Sequence, residues 1–142
     1  MKLGFIGTGK ITSAVITGIC SSSIPYKKII ISHRNKSISS SLKKKFKKIT
    51  ISKNNQEIIN SCDWIFLSGT PTVGEKIIEN LKFRSNQTII SFISTITLAQ
   101  LKKAIQVKAK IIRAIPLPPI SLKKGPVPIY PPRWANRDWS FF

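Results

Sequence analysis

Acidic side chains are nearly missing from this chain: Asp and Glu number 5 in 142 residues against 24 Lys and Arg, a formal net charge of +19. Five carboxylates dispersed along the sequence form neither the paired acids of a hydrolase nor a metal-ligand cluster. Histidine is equally scarce. His33 stands alone, and no serine has a plausible base and orienting acid, which excludes a Ser-His-Asp arrangement. The two cysteines, Cys20 and Cys62, sit apart in apolar patterns and read as buried free thiols, not as a disulfide or a metal pair. No apolar run approaches the ~20 residues that cross a bilayer, and Met1 to Ile6 is too short and strand-like for a signal-peptide core. A cytoplasmic location without a membrane partner is therefore expected.

What is present is one domain's worth of chain with 42% apolar residues, enough to bury a core. The lysines fall in pairs over many elements, with one cluster from Lys43 to Lys48. No aromatic residues alternate with them as a base-stacking platform would require. The cluster reads as a solvated helix face, and a nucleic-acid partner is not expected, although the charge would attract any phosphorylated ligand.

The apolar pattern alternates between the periods of strand and helix. Strands are predicted at Lys2–Ile6, Lys28–Ser32, Lys48–Ser52, Asp63–Leu67, Gln87–Phe92 and Lys110–Ile115. Helical spacing connects them through Ile11 to Ile19, Leu42 and Phe46, Ile58 and Ile59, Ile77 to Leu81, and Leu98 to Ile105. Three capping boxes are predicted, at Asn54/Glu57, Thr72/Glu75 and Thr97/Gln100. Six strands alternating with helices imply an α/β fold, a doubly wound parallel sheet covered on both faces, with ligands at the carboxyl ends of the strands. This domain is expected to occupy residues 1–115. The prolines from Pro116 to Pro132 preclude a regular helix and a central strand, so residues 116–142 are predicted as a Pro-rich, extended tail ending in Trp134, Trp139, Phe141 and Phe142.

Gly7-Thr8-Gly9-Lys10-Ile11-Thr12 follows the first strand and opens the first helix, the context in which a Rossmann dinucleotide-binding turn forms. Gly7 permits the turn, Gly9 lets the backbone approach a pyrophosphate, and the helix start offers free N–H donors and a favourable dipole. Thr12 stands where a third glycine is usual. At the end of the second strand an NAD site would place an acid for the ribose hydroxyls. Here Ser32-His33-Arg34-Asn35 offers a hydroxyl and a guanidinium instead, so NADP(H) is preferred over NAD(H). His33 falls at the adenine end and is not read as a catalyst, and no catalytic residue can be assigned.

The runs Lys2 to Ile11, Ser32 to Asn35, Ile93 to Leu98 and Arg113 to Pro116 resemble, in order and spacing, the N-terminal NADP-binding half of pyrroline-5-carboxylate reductase. That family reduces a cyclic imine in proline biosynthesis with NAD(P)H, and a C-terminal helical domain dimerises and completes the substrate site. The resemblance implies that the glycine turn holds the pyrophosphate, Ser32 and Arg34 the 2′-phosphate, and Asn55 the adenosine side. It also implies that Thr70, Pro71 and Ser94 lie near the nicotinamide ribose, with Ser68 in the same turn. Two departures stand out: Ser68-Gly69-Thr70-Pro71 where the family has Ala-Val-Lys-Pro, and Leu117-Pro118-Pro119 where it has Asn-Thr-Pro. The substrate is thus expected to differ. The helical domain has no counterpart here, so the expectation is a divergent or truncated oxidoreductase domain, incomplete as an enzyme alone. The alternative is a non-catalytic NADP(H)-binding or regulatory module, docking on a protein or a second copy through its aromatic tail.

Overall fold

A computed structural model describes residues 1–125 and 127–132. The six expected strands form as β1 (Lys2–Ile6), β2 (Lys28–Ser32), β3 (Ile49–Ser52), β4 (Trp64–Leu67), β5 (Thr88–Ser91) and β6 (Lys110–Ala114). They pair in parallel in the order β3-β2-β1-β4-β5-β6. The chain runs out from β1 to one edge, returns, and runs out again from β4, so the order reverses between β1 and β4. That reversal opens a crevice at the carboxyl ends of the strands.

Five helices cover the sheet: α1 (Lys10–Cys20), α2 (Lys36–Lys45), α3 (Asn55–Ser61), α4 (Pro71–Glu79) and α5 (Leu98–Ile105). Two apolar clusters divide between its faces. Val15, Ile16 and Ile19 of α1 and Leu42 of α2 pack on Leu3, Phe5, Ile29, Ile31 and Phe66. Ile58 and Ile59 of α3, Ile78 of α4 and Leu101 and Ile105 of α5 pack on Ile6, Ile65, Leu67, Ile89 and Ile111 on the other side. Strand residues alternate between the two clusters because successive side chains of a strand point to opposite faces. Both faces of the sheet are covered, and its strands accordingly read as continuous apolar runs. Both cysteines are free thiols; Cys62 is buried as expected, whereas Cys20 is only half-buried.

Two of the three expected capping boxes depart from the sequence reading. At the fourth helix, Thr70 is the N-cap and Pro71 the first helical residue, so Thr72 lies inside the helix and caps nothing. Proline at the first turn lacks an N–H that would be unpaired there anyway, and it outweighs the downstream Thr/Glu pattern. At α3, Asn54 caps through its side chain to Gln56 N, but Glu57 bonds Ser52 Oγ at 3.1 Å instead of closing a box. At α5 the expected box is complete, with Thr97 Oγ1 accepting from Gln100 N and Gln100 Oε1 from Thr97 N.

The proline-rich stretch also holds more structure than an extended tail. Pro118–Leu122 winds into a 3-10 turn against α1, burying Ile120 beside Ile16 and Ile19. Gly18 permits this approach, since a Cβ there would meet the Ile120 carbonyl oxygen at 2.4 Å. Beyond it β7 (Ile129–Tyr130) adds an antiparallel edge strand to β6, pairing Ala114 with Ile129 and Arg113 with Tyr130. Proline tolerates an edge position, where its missing N–H faces outward. The four tail aromatics lie outside the described residues.

Helix α3 has seven residues, too few to hold its own shape in water. It is pinned along its length by the segment entering β5. Gln56 exchanges two hydrogen bonds with the Lys82 backbone, at 2.9 Å each. Behind it the carbonyls of Ile59 and Cys62 accept from both Gln87 Nε2 and Arg84 Nη2.

Candidate functional site

The first turn is built to hold a strained backbone still. Gly7 has φ +94, a conformation that side chains rarely adopt, and a Cβ there would meet the Ser68 carbonyl oxygen at 2.3 Å. Its N–H donates to Ser32 Oγ at 3.0 Å. Thr8 Oγ1 donates to the Ser32 carbonyl at 2.9 Å and lies 3.0 Å from Ser32 Oγ. With the Thr8 proton spent on that carbonyl, the Ser32 hydroxyl donates to Thr8. Ser32 is 2% exposed and wholly engaged in tying β2 to the glycine turn.

A second tie comes from β4. Ser68 Oγ donates to the Gly7 carbonyl at 2.9 Å and sits 2.6 Å from Thr12 Oγ1. Since Ser68 has one proton to give, the short bond draws on the Thr12 hydroxyl. Thr12 thus fills the third-glycine position with a bonded side chain and is buried.

The open part of the turn faces a cleft of about 640 Å³ lined by Gly7, Thr8, Gly9, Arg34, Asn35, Lys36, Ser68, Gly69, Thr70, Val73 and Ile77. A Cβ on Gly9 would meet no protein atom within 4 Å, so the space above it is left for something else. Two helices begin on this cleft without a side-chain cap, α1 after Gly9 and α4 after Thr70. Uncapped N–H groups and the positive ends of two helix dipoles favour an anion there. Asn35, by contrast, spends its side chain capping α2 through Ile38 N.

An adjoining pocket of about 450 Å³ shares Arg34, Val73 and Ile77 with the cleft and adds Asn55, Lys76, Asn80 and Leu81. Arg34 therefore borders both spaces, and among the described residues no carboxylate lines either. Lys10 and Ile11 open α1, and Pro71 opens α4. Ser94 follows β5 and lines neither space; its carbonyl accepts from Arg113 Nη2 of β6. Lys36, Lys76 and Val73 were not singled out in the sequence. Lys36 sits two positions beyond Arg34 in the same basic turn, a readable signal, whereas Val73 and Lys76 face the site only because α4 packs across it.

Among the described residues no group of three or more His, Cys, Asp or Glu could hold a metal ion, and no helix is long and apolar enough to cross a membrane.

Strand order, the glycine turn at the reversal point and uncapped helix starts define an NAD(P)-binding oxidoreductase domain of Rossmann type. The chain belongs to the family described as NADP oxidoreductase, coenzyme F420-dependent, whose model matches residues 2–95. It is similar to pyrroline-5-carboxylate reductase 3 of Danio rerio, at 28% identity over 128 residues, covering 88% of this chain and 44% of that protein. The 1-pyrroline-5-carboxylate reductase of Streptococcus pyogenes superposes with a TM-score of 0.73 at 26% identity, covering 91% of this chain and 48% of the other. For the Plasmodium falciparum pyrroline carboxylate reductase with NADP bound, the TM-score is 0.75 at 24% identity, covering 89% and 46%. The expected relationship to pyrroline-5-carboxylate reductases is thus found, and the chain spans about half the length of these relatives.

Proposed function

We propose that this chain is the NADP(H)-binding part of a pyrroline-5-carboxylate reductase-like oxidoreductase, acting on a C=N or related bond together with a second body that completes the substrate site. The observation that carries the cofactor reading is Arg34, which borders both the glycine cleft and the Asn55 pocket with Lys36 beside it, neither space being lined by a carboxylate among the described residues. A ribose 2′-phosphate would meet two cations there, whereas an NAD site would supply an acid to the bare ribose hydroxyls.

The residues fit a dinucleotide. Thr8, Gly9, Lys10 and Ile11 would present backbone N–H groups to the pyrophosphate, into the space that Gly9 leaves open. Arg34 and Lys36 would hold the 2′-phosphate, and Asn55, Val73 and Ile77 the adenosine. Ser32, Thr12 and Ser68 act one step back, holding the turn in shape. Thr70, Pro71 and Ser94 fall toward the nicotinamide side by similarity to the family. The bound cofactor supplies a hydride; the protein supplies binding, orientation and exclusion of water.

A second reading, an NADP(H)-binding module without turnover of its own, is favoured by the lining itself. Among the described residues neither space is bordered by His, Cys, Tyr, Asp or Glu, the side chains that most often serve as general acid or base.

The test is thermal unfolding with NADPH, NADH and no ligand. A ligand at ~100 times its dissociation constant adds roughly 2.7 kcal/mol, so NADPH should raise the melting temperature by several degrees and NADH by less. Arg34→Ala and Lys36→Ala should narrow that gap. Equal shifts with both cofactors would remove the phosphate preference, and no shift with either would remove the cofactor reading. NADPH oxidation with cyclic imines, with and without a partner protein, then separates the two readings.

A further inference from the structure

Lysines lie on both layers of the fold, but among the described residues the carboxylates lie on only one. The layer formed by α1, α2 and the 3-10 turn covers one face of the sheet. Among the described residues it carries no carboxylate. Glu57 lies on α3, Glu75 and Glu79 on α4, and Asp63 precedes β4, where it accepts from Lys2 N at 2.8 Å. The five lysines between 43 and 48, all exposed, stand at the end of α2, with Lys123 and Lys124 on the same layer. The negative end of the α2 dipole accounts for a cation or two in its last turn, not for this many.

The chemistry of the patch narrows its partner. Both nearby rings are covered by the protein's own lysines: Lys48 Nζ lies 5.0 Å from the Tyr26 ring centre, and Lys45 Nζ 5.6 Å from that of Phe46. Among the described residues of this patch, neither ring is free for stacking on unpaired bases. The apolar side chains of α2 turn inward, Leu42 being 3% exposed and Phe46 half-buried. Leu122 is exposed on this layer but makes no apolar row that could enter a bilayer. Lysines act as point charges toward phosphate and carry no base-reading fork.

We propose that this acid-free layer, centred on Lys43 to Lys48, docks the phosphate backbone of a nucleic-acid duplex without sequence preference. The surface is distinct from the dinucleotide cleft. Asn35 borders that cleft at the start of α2, and at ~1.5 Å per residue Lys45 lies roughly 15 Å further along the helix. NADPH and a duplex should bind together.

The test uses the full chain and a 20-base-pair DNA duplex of mixed sequence, with binding measured as a function of salt. The variant K43Q/K44Q/K45Q/K47Q is compared with K82Q/K102Q/K103Q/K108Q, which removes as much charge from exposed positions on the opposite layer. Each phosphate contact adds roughly 0.9 to the slope of log K against log salt. The first variant should lose about 3 to 4 from that slope and at least tenfold in affinity, while the second stays within about twofold of wild type. The half-variants K43Q/K44Q and K45Q/K47Q should each lose about 2, and an unchanged circular dichroism spectrum confirms folding. Equal losses in both four-site variants would mean that net charge alone attracts the duplex, and the proposal falls. It falls equally if vesicles containing phosphatidylserine bind more tightly than the duplex, or if no binding survives at 0.15 M salt.

Discussion

Thr12 and Ser68 stand 2.6 Å apart, hydroxyl to hydroxyl, joining the first turn of α1 to the end of β4. Each is a departure: threonine where the dinucleotide turn usually has glycine, serine where the resembling family has alanine. The two departures meet in one hydrogen bond, and the Ser68 proton continues to the Gly7 carbonyl. Removing the Ser68 hydroxyl leaves the buried Thr12 hydroxyl unpaired, at a cost of about 1 to 3 kcal/mol, whereas without the Thr12 hydroxyl the half-buried Ser68 still donates to Gly7. Ser68→Ala should destabilise by that order and Thr12→Val by less. The double variant should cost less than the sum by about 1 kcal/mol, as read from a denaturant-unfolding cycle. Additive losses would show that the bond contributes nothing.

The two glycines of the turn should separate folding from binding. Gly7→Ala places a Cβ against the Ser68 carbonyl at a backbone angle that alanine resists, and should lower stability by more than ~2 kcal/mol. Gly9→Ala meets nothing within 4 Å and should leave the melting temperature within about two degrees of wild type. The NADPH-induced shift should nevertheless collapse in Gly9→Ala, because its methyl group occupies the space over the helix start. A full NADPH shift in that variant would place the pyrophosphate elsewhere.

Burial pushes the Cys62 thiol from 9.0 up to about 11, with Asp63 adding to the rise. A raised thiol pKa means that the folded state holds its proton more tightly than the unfolded chain. The associated stability is fully present below pH 9 and is lost as pH climbs towards 11. Unfolding free energy should fall across that window by up to about 2 kcal/mol, and Cys62→Ala should flatten the fall. Thiol-specific reagents at pH 8 should find Cys62 only as fast as the protein unfolds.

The helix starts at Thr97 and Thr72 offer a matched pair. Thr97→Ala removes the bond to Gln100 N and should cost about 1 kcal/mol. Thr72→Ala, one position inside α4, should cost less than half of that in the same urea titration, since Thr70 occupies the cap.

Strand positions were legible because buried parallel strands write themselves as runs of Ile, Leu and Phe; the order in which they pair was not, since right-handed crossovers fit more than one order. The glycine turn was legible from its place between the first strand and first helix. The seventh strand was not, since Ile129–Tyr130 is two residues long among prolines and owes its existence to the free edge of β6. Nor was the work of Ser32 visible. Its position suggested a phosphate ligand, but its oxygen accepts from the Gly7 N–H and its proton goes to the Thr8 hydroxyl, contacts across 24 and 25 residues that local pattern does not encode. The far wall of the Asn55 pocket was hidden for a similar reason, as it depends on how α4 crosses the sheet.

Pinning α3 from behind has a reach beyond that helix. Asn55 heads a rod of seven residues whose tail carbonyls are gripped by Arg84 and Gln87, themselves anchored at the doorway of β5. Whatever Asn55 touches in its pocket, its aim is calibrated at the opposite end of the strands. Loosening Gln87, which faces no cleft, would blur the adenosine end of the site while leaving the glycine turn sharp.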